Sequence, residues 1–308
     1  MAKNKDVVMS VEGLTKVFKS GILNPEYTVA AKDVSFDIEK GKIISLIGES
    51  GSGKTTVGKL ILKLINPSEG KIIYKGKDIS EINDKAETQQ YYRRVQGIFQ
   101  DPFATFNPLY RVDRVFDLIF DSFDLDYEDK DEAIRDALYD VNLNPDRTLG
   151  KFPHQLSGGQ LQRLLIARAL LMDVDVLIAD ELISMLDAST RIGVLNLLVE
   201  SCKKHGMSVI FITHDLNLGY YISDKSLIMY KGRLVERGDT KKIYENATHP
   251  YTQMLFEAVP EIGERWDPDE EFLPEQVVSD VKKFYKENEG KGFVEIEEDH
   301  SVLFSDTK

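Results

Sequence analysis

The chain has a single cysteine, Cys202, in 308 residues. One thiol cannot form an internal disulfide and cannot build a cysteine-rich metal cluster. No run of eighteen apolar residues occurs, so no membrane-crossing helix is expected. The most apolar stretch, residues 164–179, is interrupted by Arg168, Asp173 and Asp175. The opening residues Met1-Ala2-Lys3-Asn4-Lys5-Asp6 lack the apolar run of a secretion signal. Positive charge is also scarce: 39 Lys and Arg stand against 52 Asp and Glu, a net charge of −13. That balance argues against a nucleic-acid backbone as the main partner, and still permits a local basic site for phosphates. These absences fit a cytosolic chain. What is present is enough for a soluble protein with a core: 42% of residues are hydrophobic and 30% charged. No internal repeat is evident.

Residues 7–12 and Val34-Ser35-Phe36-Asp37-Ile38 have strand character, the second alternating as a half-buried strand does. After Gly41, Ile43-Ile44-Ser45-Leu46-Ile47 reads as a buried strand, and a helix is predicted from Thr55 to Ile65. Asn66-Pro67-Ser68-Glu69-Gly70 stops that helix, and residues 71–76 suggest a short strand and turn. From about Asp101 to Leu170 the pattern is mainly helical. Ile134, Leu138 and Val141 fall at helical spacing, and residues 161–171 form a second amphipathic run. Strands return at residues 174–179 and 208–212, with a helix predicted over 190–204 between them. This alternation implies a parallel α/β core split by a helical insertion. Residues 227–230 and 233–236 read as a hairpin around Lys231-Gly232. Beyond Pro260 the composition turns acidic and polar. A weakly amphipathic helix is expected over 277–285, then strands at 293–297 and 301–304.

Gly48-Glu49-Ser50-Gly51-Ser52-Gly53-Lys54-Thr55 follows an apolar strand and opens a helix. This is the setting in which a glycine-rich loop wraps nucleotide phosphates with its backbone N–H groups, helped by the helix N-terminus. Lys54 can bridge β- and γ-phosphate oxygens, and the Thr55 hydroxyl can ligate Mg²⁺. Asp180 and Glu181 end a predicted strand: Asp180 is placed to hold Mg²⁺, directly or through water, and Glu181 to orient the attacking water. His214 follows another apolar strand and could reach a γ-phosphate; alone it would equally be a surface histidine. Gln100 has an amide that could touch metal and water, but in isolation it reads as a surface glutamine. Leu156-Ser157-Gly158-Gly159-Gln160 precedes a helix and offers a second anion site, or simply a serine cap with a glycine turn. Because Lys54 already serves this chain's own phosphates, the second site is best explained as serving a partner's nucleotide.

Together these residues resemble the ATP-binding subunits of ABC transporters, over about Val7 to Pro260. Gly48–Thr55 with Thr56 is similar to the Walker A loop, Gln100 to the Q-loop glutamine, and Leu156–Gln160 to the signature. Val176–Asp180 with Glu181 resembles Walker B and its glutamate. Ser184-Met185-Leu186-Asp187 resembles the D-loop, and Thr213-His214-Asp215 the switch histidine. Phe18 stands where an aromatic stacks on adenine, with Tyr27 as the alternative. The resemblance implies a RecA-like P-loop ATPase core with an antiparallel β portion and an inserted helical subdomain (about 101–170). It implies a nucleotide-binding domain over 1–260 and an extension over 261–308 packed on the core or on a partner. Every nucleotide motif lies upstream of Pro260, so that extension is expected to be dispensable for Mg·ATP binding.

The stretch Val95 to Pro108, the run His249-Pro250-Tyr251-Thr252 and the end Phe293-Val294-Glu295-Ile296 through His300 resemble the dipeptide and oligopeptide importer subfamily. Its members move peptides, nickel or short oligosaccharides, so peptides are expected first and oligosaccharides next. ATP and Mg²⁺ are the implied cofactors. The implied partners are a second ABC ATPase subunit in a heterodimer, two transmembrane permeases and an extracytoplasmic solute-binding protein, at the cytoplasmic face of the membrane. An exporter subunit or a soluble ABC ATPase acting on ribosomes or DNA are the rivals. The latter usually carries two cassettes or a long coiled coil, neither of which occurs here. Two departures stand out. Leu182-Ile183 replaces the family's Pro-Thr after the glutamate, and the tail lacks the cysteines that would ligate an iron–sulfur cluster, so no such cluster is expected.

Overall fold

The computed structural model describes residues 6–21, 25–258 and 274–305. The chain begins with two long strands, β1 (Val7–Ser20) and β2 (Glu26–Glu39), then β3 (Ile43–Ile47) and α1 (Lys54–Ile61). Next come β4 (Glu69–Tyr74), β5 (Lys77–Asp78), α2 (Lys85–Arg94) and β6 (Val95–Ile98). A helical stretch follows: α3 (Pro102–Thr105), α4 (Arg114–Ser122), α5 (Lys130–Asp140), α6 (Pro145–Thr148) and α7 (Gly158–Leu171). The chain returns to the sheet with β7 (Val176–Asp180), α8 (Ala188–His205), β8 (Ser208–Thr213), α9 (Leu216–Ile222), β9 (Lys225–Tyr230) and β10 (Arg233–Asp239). It closes with α10 (Thr240–Glu245), α11 (Pro250–Glu257), α12 (Pro274–Glu287), β11 (Phe293–Glu297) and β12 (His300–Leu303).

Two sheets organise these elements. An antiparallel sheet has the order β2-β1-β4-β5, and a mixed sheet the order β11-β12-β10-β9-β3-β8-β7-β6. In the mixed sheet β6, β7, β8, β3 and β9 run parallel, and β10, β12 and β11 are added antiparallel. Every residue of β3, β7 and β8 is buried. This is why these three read as unbroken apolar runs, as strands covered on both faces do.

The two short strands expected at 7–12 and 34–38 are the ends of one long antiparallel pair, matched from Val7↔Glu39 to Ser20↔Glu26. Register breaks at Val11/Leu14, Leu14/Lys16 and Lys16/Val17 destroy the period-two pattern in the middle, which hides the continuation from sequence. Helix α1 ends at Ile61, short of the expected Ile65, because Lys63 turns left-handed at φ 54°. Helix α2 left no periodic signal: its sequence is polar on almost every side, and Tyr91 is its one buried residue. The hairpin at Lys231-Gly232 joins β9 to β10, with φ 45° and 83° at the two turn residues, as a type I′ turn requires.

Past the undescribed residues 259–273, the C-terminal segment returns to the same sheet. β12 pairs with β10 through Glu236↔Val302, Arg237↔Ser301 and Gly238↔His300. Val277 and Val281 of α12 and Leu303 of β12 share a buried cluster with Ile47, Leu216, Ile228, Val235, Ile243 and Tyr251. Each such side chain contributes on the order of 1.5–3 kcal/mol by leaving water. Val277, Val281, Val302 and Leu303 of the tail are thus covered by the same chain's core.

Candidate functional site

Strands β3, β8 and β7 lie side by side, with Ile47 opposite Thr213 and Asp180 opposite Ile212. Their carboxyl ends therefore deliver Gly48, His214 and Asp180-Glu181 to one edge of the sheet, the usual place for ligand chemistry in an open α/β fold. The loop after β3 is tightly wound. Gly53 has φ 105°, and a Cβ there would sit 2.1 Å from the Ala30 carbonyl oxygen of β2. No other residue type fits that approach. The Ser52 carbonyl accepts from Gly232 N at 2.9 Å, and Lys32 N donates to the Gly232 carbonyl at 2.7 Å, so β2 and the β9–β10 turn fix the loop from outside. Ser50 and Gly51 are exposed at its tip, and Ser52 is buried.

Lys54 is buried inside the curl of this loop. Its ammonium donates to the carbonyls of Gly48 at 2.6 Å and Glu49 at 2.7 Å, and to Ser52 Oγ at 3.4 Å. Burial pulls its pKa below the ordinary lysine value, opposed by the carboxylates of Glu181, Asp180 and Glu49. Asp180 is also buried, and burial raises its pKa; a hydrogen bond from the Thr55 hydroxyl works the other way. Thr55 and Asp180 thus bring a hydroxyl and a carboxylate into contact beside a buried cation. Hard oxygen donors of this kind suit Mg²⁺, and the N–H-rich loop suits a polyphosphate. Thr56 follows on α1, half-buried.

Glu181 leaves the strand in a left-handed conformation, φ 50°, with its N–H donating to the Ile212 carbonyl at 3.0 Å. The turn swings its carboxylate toward His214, whose Nδ1 lies 3.3 Å from Glu181 Oε1. A carboxylate so oriented can polarise a water, and an adjacent imidazole can hold its geometry. Leu182 and Ile183, the pair that departs from the family pattern, are fully buried in the cluster that contains Leu161, Leu164 and Leu186. Their burial anchors the chain immediately after the glutamate.

The remaining candidate residues come from other elements. Gln100 lies exposed two residues beyond β6, whose Ile98 pairs with Ala179 of β7. Phe18 is 41% exposed on β1 opposite Thr28, two residues along the ladder strand from Ala30. Tyr27 is the more exposed of the two aromatics at 64%. Ser157 caps α7: its Oγ accepts from Gln160 N at 3.3 Å, while Gln160 Oε1 accepts from Ser157 N at 2.9 Å. The helix cap read as the alternative for this motif is therefore real, and it leaves the serine hydroxyl proton free to donate. A Cβ on Gly159 would lie 2.3 Å from Thr190 Cγ2, so the glycine is set by close packing against α8. Asp187 caps α8, accepting from Thr190 N at 3.1 Å and Ser189 Oγ at 2.7 Å, and these bonds hold its pKa well below the carboxylate range. Among the described residues, no hydrogen bond or ion pair joins the 156–160 motif to the phosphate loop.

The family model for the ABC transporter matches residues 31–184. The chain belongs to the ABC transporter ATP-binding family. A second model, the C-terminal region of the oligopeptide/dipeptide transporter, matches residues 235–295 of this ABC subunit. It is similar to the oligopeptide transport ATP-binding protein OppF of Streptococcus pyogenes serotype M1, 44% identical over 234 residues, which cover 75% of this chain and 76% of that one. It is also similar to OppF of Bacillus subtilis, 39% identical over 251 residues, covering 80% and 81%. Among solved structures, the dimeric cassette MJ0796 bound to ADP and Pi matches with a TM-score of 0.66 and 26% identity, over 75% of this chain and 98% of that one. The structure of cbiO1 from Clostridium perfringens, described as part of the ABC transporter complex cbiONQ, matches with a TM-score of 0.68 and 26% identity, over 79% and 92%. The fold is thus that of an ABC ATPase, and the subunit is an ATPase. No helix among its described residues is long and apolar enough to cross a membrane.

One residue that contacts the phosphate loop escaped the sequence reading. Tyr251 is fully buried, and its hydroxyl accepts from Glu49 N at 2.9 Å. The run His249-Pro250-Tyr251-Thr252 was visible as a subfamily mark. Its contact with a loop two hundred residues earlier was not, since nothing in local spacing reports it.

Proposed function

We propose that this subunit hydrolyses ATP to power peptide import through a membrane permease pair. The convergence of Lys54, Thr55–Asp180 and Glu181–His214 at the carboxyl ends of three adjacent strands carries the chemistry. Thr55 and Asp180 would hold Mg²⁺, with Gln100 reaching it in the closed state, and the ion would neutralise charge on the phosphates. Gly48 to Thr56 wraps the phosphates, Lys54 bridges them, and Phe18 stacks on the base. Glu181 polarises the attacking water, with His214 oriented by it at the γ-phosphate side. Ser157, Gly158, Gly159, Gln160 and Asp187 face the nucleotide held by a second ATPase subunit, so that two half-sites close together.

The cargo reading rests on the C-terminal region matched at 235–295 and on relatives named oligopeptide transport ATP-binding proteins. The partner ATPase is a related but different chain, the permeases dock near Gln100 and the helices α3–α7, and an extracytoplasmic binding protein supplies peptide. The exposed apolar side chains Phe99, Phe103, Leu109 and Tyr110 lie in that docking region. The subunit then works peripherally at the cytoplasmic face. The test is uptake of a labelled tetrapeptide by cells lacking this gene. Uptake should be lost, restored by the wild-type chain and not restored by Glu181→Gln. Normal peptide uptake with lost oligosaccharide uptake would replace the cargo. Co-purification of two copies of this chain with no second ATPase would overturn the heterodimer.

A further inference from the structure

The phosphate loop is tied to the C-terminal hairpin by a continuous set of polar contacts, some buried and some partly buried. Tyr251 sits in the first turn of α11, and its ring packs on Tyr230, the last residue of β9, with centroids 4.3 Å apart. The ring is wholly buried, yet it carries a hydroxyl, and that oxygen accepts the Glu49 N–H at 2.9 Å. A phenylalanine would supply the same packing, so the hydroxyl is kept for the loop. Helix α11 is itself pinned at its start. Tyr251 N donates to His249 Nδ1 at 3.1 Å, which leaves the proton on His249 Nε2, 3.2 Å from the Tyr285 hydroxyl of α12. One step back, the fully buried carboxylate of Glu236 accepts from Thr248 N at 2.9 Å and from His249 N at 3.1 Å. The same carboxylate accepts from His300 Nε2 of β12 at 2.8 Å. The other ring nitrogen of His300 faces Glu297 at 3.1 Å.

We infer that Tyr251 is a positioning residue for nucleotide binding, and that the hairpin β11–β12 sets its position through His300, Glu236 and the 248–249 backbone. This rests on the phosphate loop being the nucleotide site. The amide of Glu49 belongs to the rim of the loop, next to the carbonyl that Lys54 grips. Losing this acceptor frees the rim to adopt conformations that do not fit the phosphates, and the ordering cost then falls on the nucleotide. The hairpin β11–β12 is therefore part of the nucleotide site's support, where the sequence alone leads us to expect the extension to be dispensable for binding.

The test uses the full chain. Tyr251→Phe keeps the ring and the fold. Titration with mant-ADP should show about fivefold weaker binding, the worth of one such hydrogen bond. In the assembled transporter, KM for ATP should rise by a similar factor with kcat little changed. Coupling is reciprocal, so ADP should slow hydrogen exchange at the amides of residues 300–303 in the wild-type chain. That protection should shrink in Tyr251→Phe, a response that packing alone would not produce. Equal mant-ADP affinity in the two chains would overturn the positioning role. Unchanged exchange at 300–303 on adding ADP to wild type, a measurement that needs no variant, would overturn the link to the hairpin. A wild-type chain that binds no mant-ADP at all would instead remove the nucleotide site, and the inference with it.

Discussion

Gly159→Ala probes the tightest contact in the signature segment. A Cβ at this position would meet Thr190 Cγ2 at 2.3 Å, while the next neighbours, Thr190 Cβ at 3.7 Å and Leu186 Cδ2 at 3.9 Å, are at ordinary contact. Carbon atoms pack at roughly 3.5–4.0 Å, so more than about 1 Å must be found at one atom. There are two ways to find it. Thr190 can rotate about χ1, which breaks the bond between its hydroxyl and Asp187 and loosens the cap at the start of α8. Otherwise the first turns of α7 and α8 must separate, an overpacking cost of about 1–3 kcal/mol. Alanine recovers up to about 1 kcal/mol of helix propensity, less in a first turn. The net loss is about 1–2 kcal/mol, or about 2–6 °C in Tm by scanning calorimetry. ATPase activity should fall as well, because Ser157 and Asp187 cap the two helices that are forced apart. Thr190→Ser removes the offending methyl and keeps the hydroxyl. The pair Gly159→Ala with Thr190→Ser should therefore melt within about 0.5 kcal/mol of Thr190→Ser alone. A Gly159→Ala chain that melts like wild type, or a clash that Thr190→Ser fails to relieve, would refute this account.

Glu181→Gln should retain ATP binding and lose turnover by at least about a hundredfold, the lower range for a positioned general base, and should trap a closed ATP-bound dimer on gel filtration. Near-normal phosphate release would remove Glu181 from catalysis. Lys54→Ala should act earlier, with mant-ADP binding largely lost, because the ammonium that bridges the phosphates is removed. Burial lowers the pKa of His249 to about 3, against an ordinary value near 6.5. Its neutral form is thus favoured by folding: the contribution is complete above about pH 6.5 and falls by about 1.4 kcal/mol per unit as the pH drops toward 3. Urea midpoints at pH 7 and pH 5 should show His249→Asn losing about 2 kcal/mol less than wild type over this interval, and equal losses would contradict a buried neutral histidine. His300 has the opposite sign. Burial works against its charge, but Glu236 and Glu297 raise its pKa overall, so its contribution is complete at low pH and fades as the pH rises through the raised value.

The parts of the fold that could be read from sequence are those with one dominant local signal. Residues 43–47, 176–180 and 208–213 are buried on both faces and read as strands without ambiguity. The phosphate loop was legible because backbone geometry restricts it to glycines at fixed spacing. The long β1–β2 pair was read only at its ends, since its bulges shift the alternation from one face to the other. Helix α2 was invisible because it buries a single side chain, and its start is set by Asp84 capping Ala86 and Glu87 rather than by an apolar stripe. In the site, residue types revealed Lys54, Asp180 and Glu181, and their convergence followed from parallel strand order. What spacing could not reveal is any partner supplied from far along the chain, such as Tyr251 on Glu49 or Thr190 on Gly159.

These long-range contacts divide the chemistry into two packed blocks. In one, Lys54, Thr55, Asp180, Glu181 and His214 are fixed by the ends of β3, β7 and β8, and by Tyr251 behind the loop. In the other, Ser157 caps α7, Asp187 caps α8, and Gly158 and Gly159 seat directly on Leu186 and Thr190. The second block cannot move its signature without moving its Asp187, because the two helix starts interlock. The blocks are joined through Glu181-Leu182-Ile183-Ser184, where Arg191 also grips the carbonyls of Ser184 at 3.2 Å and Leu186 at 2.7 Å. At this joint the departure from the family pattern makes physical sense. The left-handed turn at Glu181 does not depend on a proline after it: its N–H is held by Ile212, and Ser184 N donates back to the Glu181 carbonyl at 3.1 Å. Leu182 and Ile183 replace a rigid ring and a hydroxyl with two side chains sunk in the core, each offering about 1.5–3 kcal/mol of burial to hold the turn. The carboxylate is thereby aimed by strand order and packing, which is sufficient for the geometry seen between Glu181 and His214.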